Sequence, residues 1–280
     1  MLSVIACIVF TFSLGLLFRS LQGKKLKVFN IVFINYLVCS SIGLFKINYA
    51  SLHQNHTVLY FAILIGLMFI TGFTVFAKSV QSSGLGITTM VQKLSVFATV
   101  LAAFFLGETV LTIQIIGLAL SALALFLIFK YPANSSSDKI STQLLLTSFL
   151  IASGIEILFL LCSKKDWDLQ VRENLTPLVF LSSSIFGGLY LILNKTYKIS
   201  KMEVFYGILL GIPNYFSIDF LNISLNQGID GAVFFPLLNI SVILLSGITG
   251  FFFFKEKYTS RQFLGYLLAI ISILFISFWK

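Results

Sequence analysis

The sequence predicts an all-α integral membrane protein of ten transmembrane helices, arranged as two inverted five-helix repeats. Three observations predict it. Of 280 residues, 58% are hydrophobic and 10% charged, against about 25% charged in a soluble domain. Mean hydropathy is +1.00. Apolar runs close to the bilayer-crossing length of about 20 residues follow one another along the chain, and the end of the first half recurs at the end of the second. Strands of a membrane barrel alternate polar and apolar residues, and these runs do not.

The predicted spans are 2–18, 28–45, 58–77, 85–106, 112–129, 142–161, 175–193, 203–222, 231–254 and 262–279. The first lacks a basic leader region and a small-x-small site before Arg19, so it reads as a span and not as a cleaved signal. The second carries one isolated polar group, Asn35. The third is uncharged. The fourth lies in GLGITTMVQKLSVFATVLAAFFLG, where Lys93 is the sole charge. A charge at that depth costs at least about 2.5–3.5 kcal/mol unless it faces a polar cavity or a partner. Thr88, Gln92, Ser95 and Thr99 recur at helical spacing and form one polar face beside it.

The sixth span, LIASGIEILFLL, holds Glu156, a carboxylate inside an apolar run. The eighth, GILLGIPNYFSIDFLNISL, combines Pro213 with Asn214, Ser217 and Asn222 on one face, with Asp219 nearer its end. A span interrupted by glycine or proline points to a binding site in inverted-repeat transporters; a simple proline kink is the alternative. The ninth span places Pro236 and Asn239 as rough counterparts of the polar part of the fourth.

Residues 130–141, KYPANSSSDKIS, have the composition of a linker. They divide the chain into repeats at 1–129 and 142–280. Glu108 matches Glu256, Gln114 matches Gln262 and Gly117 matches Gly265, each pair 148 residues apart. Five spans per repeat is an odd number, so the second repeat enters the membrane from the opposite side. That arrangement suits alternating access around a site near the midplane. Glu108 and Glu256 sit at tight turns, where a carboxylate caps the following helix or binds amides there. Gly117 and Gly265 permit close helix packing.

The net charge of +9 is spread over short loops and forms no basic domain, which excludes nucleic acid as a partner. Cys7, Cys39 and Cys162 form no CxxC pair. His53 and His56 form an HxxH pair without further ligands nearby, too little for a metal site. No phosphate-binding glycine loop, nucleophile elbow or HExxH motif is present. The reading is therefore no cofactor, no metal, no catalytic residue and no ATP drive encoded in this chain.

The stretch KLSVFATVLAAFFLGETVLTIQIIGLALSALALFLI, residues 93–128, runs from an apolar helix through a Gly-Glu turn into a helix opening with glycine. NISVILLSGITGFFFFKEKYTSRQFLGYLLAIISILFI, residues 239–276, repeats it, with Lys255 in place of the turn glycine. In both copies the chain resembles the EamA family of the drug/metabolite transporter superfamily. The resemblance implies ten spans, a secondary transporter, outward movement of a metabolite and cytoplasmic termini. It is silent on substrate, and Lys93 stands where many members carry an uncharged residue.

Charge bias gives the opposite orientation. With the N-terminus outside, 13 basic residues fall in inside loops and five outside: Lys46, Lys164, Lys165, Arg172 and Lys280. The expected function is transport of a small polar or amphipathic metabolite across the inner or plasma membrane. Lys93, Gln92, Asn35, Asn214 and Asn239 are the expected substrate-binding residues. Glu156 and Asp219 are the expected coupling or counter-charge residues. Lys93 either binds an anionic group of the substrate or pairs structurally with Glu156 or Asp219. The expected partners are the substrate, the lipid bilayer, a proton or counter-substrate, and a second copy of the chain as a homodimer. The rival readings are an intramembrane lipid-modifying enzyme and a passive channel.

Overall fold

The computed structural model describes residues 2–49, 56–107, 110–130, 138–195, 198–227 and 231–277. The regular elements among them are all helices: α1 Leu2–Ser20, α2 Val28–Leu44, α3 Thr57–Ser83, α4 Leu85–Lys93, α5 Val96–Phe105, α6 Thr112–Lys130, α7 Asp138–Ser163, α8 Leu169–Leu193, α9 Lys201–Asn226, α10 Gly231–Phe252 and α11 Ser260–Ile276. Six segments are long and apolar enough to cross a bilayer: Leu2–Ser20, Thr57–Ser83, Leu85–Phe105, Ser141–Ser163, Leu169–Leu193 and Lys201–Ser224. The chain is thus a multi-pass membrane protein. Its outward-facing positions are themselves apolar, such as Ile63, Phe104, Leu150 and Ile192, because lipid is their solvent. The helix α7 begins at Asp138, inside the stretch whose composition suggests a linker.

Two compact units form. The first comprises residues 1–22, 75–157 and 216–280; the second, 23–74 and 158–215. Each draws helices from both halves of the chain.

In the second unit α2 packs on α8. The crossings of α3 and α9 over this pair are matched in detail. A Cβ on Gly66 of α3 would lie 2.9 Å from the Val179 carbonyl and 2.6 Å from Ser182 Cβ on α8. A Cβ on Gly211 of α9 would lie 2.9 Å from the Asn35 carbonyl and 2.7 Å from Val38 Cβ on α2. The glycine carbonyls are also used alike. Ser183 Oγ donates to Gly66 O at 3.0 Å, and Cys39 Sγ donates to Gly211 O at 3.4 Å. A separate core lies at the loop end of this unit, where Trp167, Val171 and Leu175 pack on Val58, Ala62 and Ile65.

In the first unit α6 packs on α11. Here the glutamines matched in sequence act alike. The backbone N–H of Leu111 donates to Gln114 Oε1 at 2.9 Å, and that of Thr259 to Gln262 Oε1 at 3.0 Å. Thr259 completes a capping box by accepting from Gln262 N. The matched glycines lie on the same seam, Gly117 against Ile276 and Gly265 against Ile128. Ser121 and Ser272 share a hydrogen bond between them. The turn residue also keeps its backbone: Gly107 has φ +88° and Lys255, its non-glycine counterpart, φ +51°.

The fourth span differs from the expected continuous helix. α4 ends at Lys93 and α5 begins at Val96. Between them the turn tightens: Ser95 N donates to Gln92 O at 3.2 Å and Phe97 N to Leu94 O at 3.0 Å, which are i→i−3 bonds. Ser95 Oγ also donates to Gln92 O at 2.6 Å. A serine bonding back to the preceding turn bends a helix without proline or glycine. Of the two readings of Pro213, a binding-site interruption or a simple proline kink, α9 keeps its helix from Lys201 to Asn226 with the proline inside it. Membrane helices absorb a proline when neighbours satisfy the freed backbone groups.

Candidate functional site

The first unit holds Lys93 and Glu156. Lys93 is the last residue of α4, half-buried, and feels the charge of Glu156 on α7 from beyond ion-pair distance. Glu156, also half-buried, accepts hydrogen bonds from Ser95 Oγ at the helix break and from Thr99 Oγ1 on α5, the latter at 2.8 Å. Both hydroxyls have a second acceptor on their own helix: Gln92 O for Ser95, and Ser95 O, at 3.4 Å, for Thr99. The turn between α4 and α5 therefore brings two hydroxyls to one carboxylate, with Lys93 at longer range. Ser153, one turn before Glu156 on α7, and Thr88, one turn into α4, are buried with hydroxyls that meet no partner among the described residues. Cys7 Sγ donates to Ser217 O at 3.2 Å and closes the apolar side with Val4, Phe234, Leu238 and Val242.

The other end of α4 carries a second cluster. Glu256 does not cap the helix that follows it; Thr259 and Gln262 do that. Its carboxylate reaches instead the first turn of α4. It accepts from Leu85 N at 2.6 Å and Gly86 N at 3.2 Å, and pairs with Arg19 Nε at 3.0 Å. Tyr258 OH donates to it at 2.9 Å. Burial pushes the Tyr258 phenol up, with the Glu256 charge adding to the effect, so the ring stays a donor. The side chains of Arg19 and Glu256 are only 11% and 6% exposed. Gly84, with φ +92°, admits the carboxylate: a Cβ there would sit 2.7 Å from the Glu256 carboxyl carbon. The positive end of the α4 dipole and the guanidinium together hold this anion.

The remaining expected residues divide between the units. Asn35 and Asn214 meet in the second unit, where Asn214 Nδ2 donates to Asn35 Oδ1 at 3.1 Å. Both are buried, and Asn35 Nδ2 meets no acceptor among the described residues. Gln92 and Asn239 are half-buried on α4 and α10, two helices that pack together in the first unit. Asp219 is half-buried on α9. Glu108 and His53 lie outside the described residues, and His56 is exposed.

Two sets of residues escaped the sequence reading. Arg19 pairs with Glu256 across most of the chain, and nothing local signals it. Glu203 is buried at the start of α9 and accepts from Lys27 N, Asn30 Nδ2 and Ser200 N, each within 2.9 Å. The Ser-x-x-Glu spacing of Ser200 and Glu203 is a capping-box signal that would have found it.

No family model matches the chain. An uncharacterized protein of Haemophilus influenzae is 26% identical over 289 residues, covering 97% of this chain and 96% of its own. A solved crystal structure aligns over 98% of this chain and 94% of its own, with a TM-score of 0.55 at 13% identity. That likeness shows a shared fold.

Proposed function

We propose that the protein is a secondary transporter with ten transmembrane helices in two inverted five-helix repeats, of the EamA type within the drug/metabolite transporter superfamily. It moves a small polar or amphipathic metabolite, outward by that resemblance, through alternating access. The observation that carries this reading is the tightened turn at Gln92–Ser95 of the fourth span, where Lys93 lies and from which Ser95 and Thr99 reach Glu156. Discontinuous helices mark substrate sites in inverted-repeat carriers, and intramembrane charges mark solute pathways.

Matched contacts support the repeats. Asn35, Val38 and Cys39 on α2 stand 144 residues before Val179, Ser182 and Ser183 on α8, and each trio serves the opposing glycine in the same way. Gly117 and Ile128 on α6 stand 148 residues before Gly265 and Ile276 on α11, and they meet crosswise. Crosswise meeting of equivalent residues is what a two-fold axis perpendicular to the helices produces.

Lys93 binds an anionic group of the substrate, and Glu156 balances that lysine or carries a proton. When a proton or a substrate cation takes up the Glu156 charge, Ser95 and Thr99 fall back on the carbonyls of Gln92 and Ser95. The arrangement thus has two hydrogen-bonded states. Asn35, Asn214, Gln92 and Asn239 contribute polar groups to the pathway.

A thermal-stability screen of the purified protein against metabolites, with Lys93→Ala alongside, tests this. A ligand at 100 times its Kd stabilises the wild type by about 2.7 kcal/mol and leaves Lys93→Ala unmoved. Equal shifts in both proteins remove Lys93 from the site. Reconstituted uptake that saturates and shows counterflow separates a carrier from a channel.

A further inference from the structure

One end of the second unit is built as a basic face. Lys24, Lys25, Lys27, Lys195, Lys198 and Lys201 are all exposed. Local contacts bring their three segments together. Lys27 N and Asn30 Nδ2 both donate to Glu203, Asn30 also donates to Lys198 O at 3.4 Å, and Ser200 N donates to Glu203. Lys24 Nζ lies 4.4 Å from the centre of the Tyr206 ring. Phe29 packs against Tyr190 with the rings tilted, centres 4.3 Å apart, and Asn194 N donates to Tyr190 O, which ties the Lys195 turn to the start of α2.

The one acidic residue at this end, Glu203, is 4% exposed and turned inward, its carboxylate used by backbone and amide donors. The lysine charges are left facing outward. The other end of the unit has no such excess: Lys46, Lys164, Lys165 and Arg172 stand among Asp166, Asp168 and Glu173. Directly beneath the lysines the surface is apolar and aromatic, with Tyr190, Leu193, Met202 and Phe205 all at least half exposed. Aromatic rings at the headgroup level with lysines above them define a membrane interface.

We infer that this face binds the headgroups of anionic phospholipids in the leaflet that surrounds it. The lysines take the phosphates, and the exposed residues of α8 and α9 lie along the acyl chains. The occupant follows from charge complementarity and from the continuity of the basic face with lipid-exposed surface. It does not depend on the transport reading.

The test uses the full-length protein in neutral detergent, titrated with phosphatidylglycerol or phosphatidylcholine and read by thermal shift. Phosphatidylglycerol is expected to stabilise the protein and phosphatidylcholine not, with the effect fading as salt rises. The triple variant Lys24→Gln, Lys198→Gln and Lys201→Gln is expected to weaken the apparent affinity about 100-fold, about five-fold per lysine. The matching triple arginine variant should retain it. Lys164→Gln with Lys165→Gln, at the opposite end, should leave it unchanged. Equal titration of the glutamine triple and the wild type overturns the proposal. So does equal stabilisation by inorganic phosphate, which would make the face a site for a soluble anion.

Discussion

The fourth span and α9 both carry polar groups through the bilayer, and they handle them in opposite ways. In the fourth span no proline or glycine interrupts the chain at residues 87–106, yet the helix breaks between Lys93 and Val96. Ser95 Oγ lies within reach of both the Gln92 carbonyl and Glu156, either of which can accept its hydrogen bond, and Thr99 Oγ1 also reaches Glu156. In α9 a proline sits mid-helix and the helix continues. Beside it, Asn214 donates to Asn35 of α2. The difference is that the fourth span tightens where a serine hydroxyl reaches back to the preceding carbonyl, whereas α9 continues through its proline. The fourth span also meets charge at two points: Glu256 and Arg19 at its start, Glu156 near its middle.

The largest expected effect is at the anchor. Glu256→Ala removes an acceptor for two helix-start N–H groups and strands the Arg19 guanidinium in a site where it is 11% exposed. Losing one partner of a buried pair costs about 3–5 kcal/mol. Thermal unfolding in detergent measures it. Arg19→Ala should cost nearly as much, and the double variant little more than either. Additive losses would show that the two act separately and that α4 is held by something else.

Next comes the pair at the break. Lys93→Met leaves the Glu156 charge uncompensated, and Glu156→Gln leaves that of Lys93. Both groups are half-buried and stand beyond ion-pair distance, so each single change is discounted to about 1 kcal/mol. The double variant should be more stable than the sum of the singles predicts. Simple additivity would break the comparison, because the fourth span would then be no more electrostatically organised than α9.

Much of this site was legible in the sequence, for a physical reason. Lys93 and Glu156 stand out because a charge inside an apolar run is costly anywhere, whatever the fold. Ser95 and Thr99 were marked by their helical spacing. The break was not legible: serine is ordinary in a helix until its hydroxyl finds the preceding carbonyl. Glu256 was legible as a capping residue, but not as the cap of α4, since its partners Leu85, Gly86 and Arg19 are distant in sequence. The equivalence of Cys39 and Ser183 was hidden as well, because a thiol and a hydroxyl do the same work under different letters. The matched glutamines, by contrast, keep one letter because only a side chain of that length returns to its own helix start.

A comparable effect separates the two roles of Ser95. Ser95→Ala removes one donor from Glu156 and frees the Gln92 carbonyl, while Thr99 remains bonded to the carboxylate. The expected loss is about 1 kcal/mol, together with weaker binding of whatever ligand the wild type selects. Ser95→Thr keeps the hydroxyl and should recover most of that affinity. If Ser95→Ala binds as the wild type does, the break is structural and the polar groups around Glu156 are not the substrate's.

The smallest effects belong to α9. Asn214→Ala removes a bond between two side chains inside the second unit, and such interhelical bonds are worth about 0.6 kcal/mol on average. Pro213→Ala restores a backbone donor to a helix that is already continuous, so unfolding should shift by no more than about 0.5 kcal/mol, the usual scale for a change that touches no special feature. Hydrogen exchange in the turn before residue 213 reads the same point directly. Protection there should match that of the rest of α9 in both proteins, while the turn at Gln92–Ser95 exchanges faster than the helices on either side of it. Fast exchange around Pro213, cured by alanine, would place a second break in the molecule and remove the contrast between α9 and the fourth span.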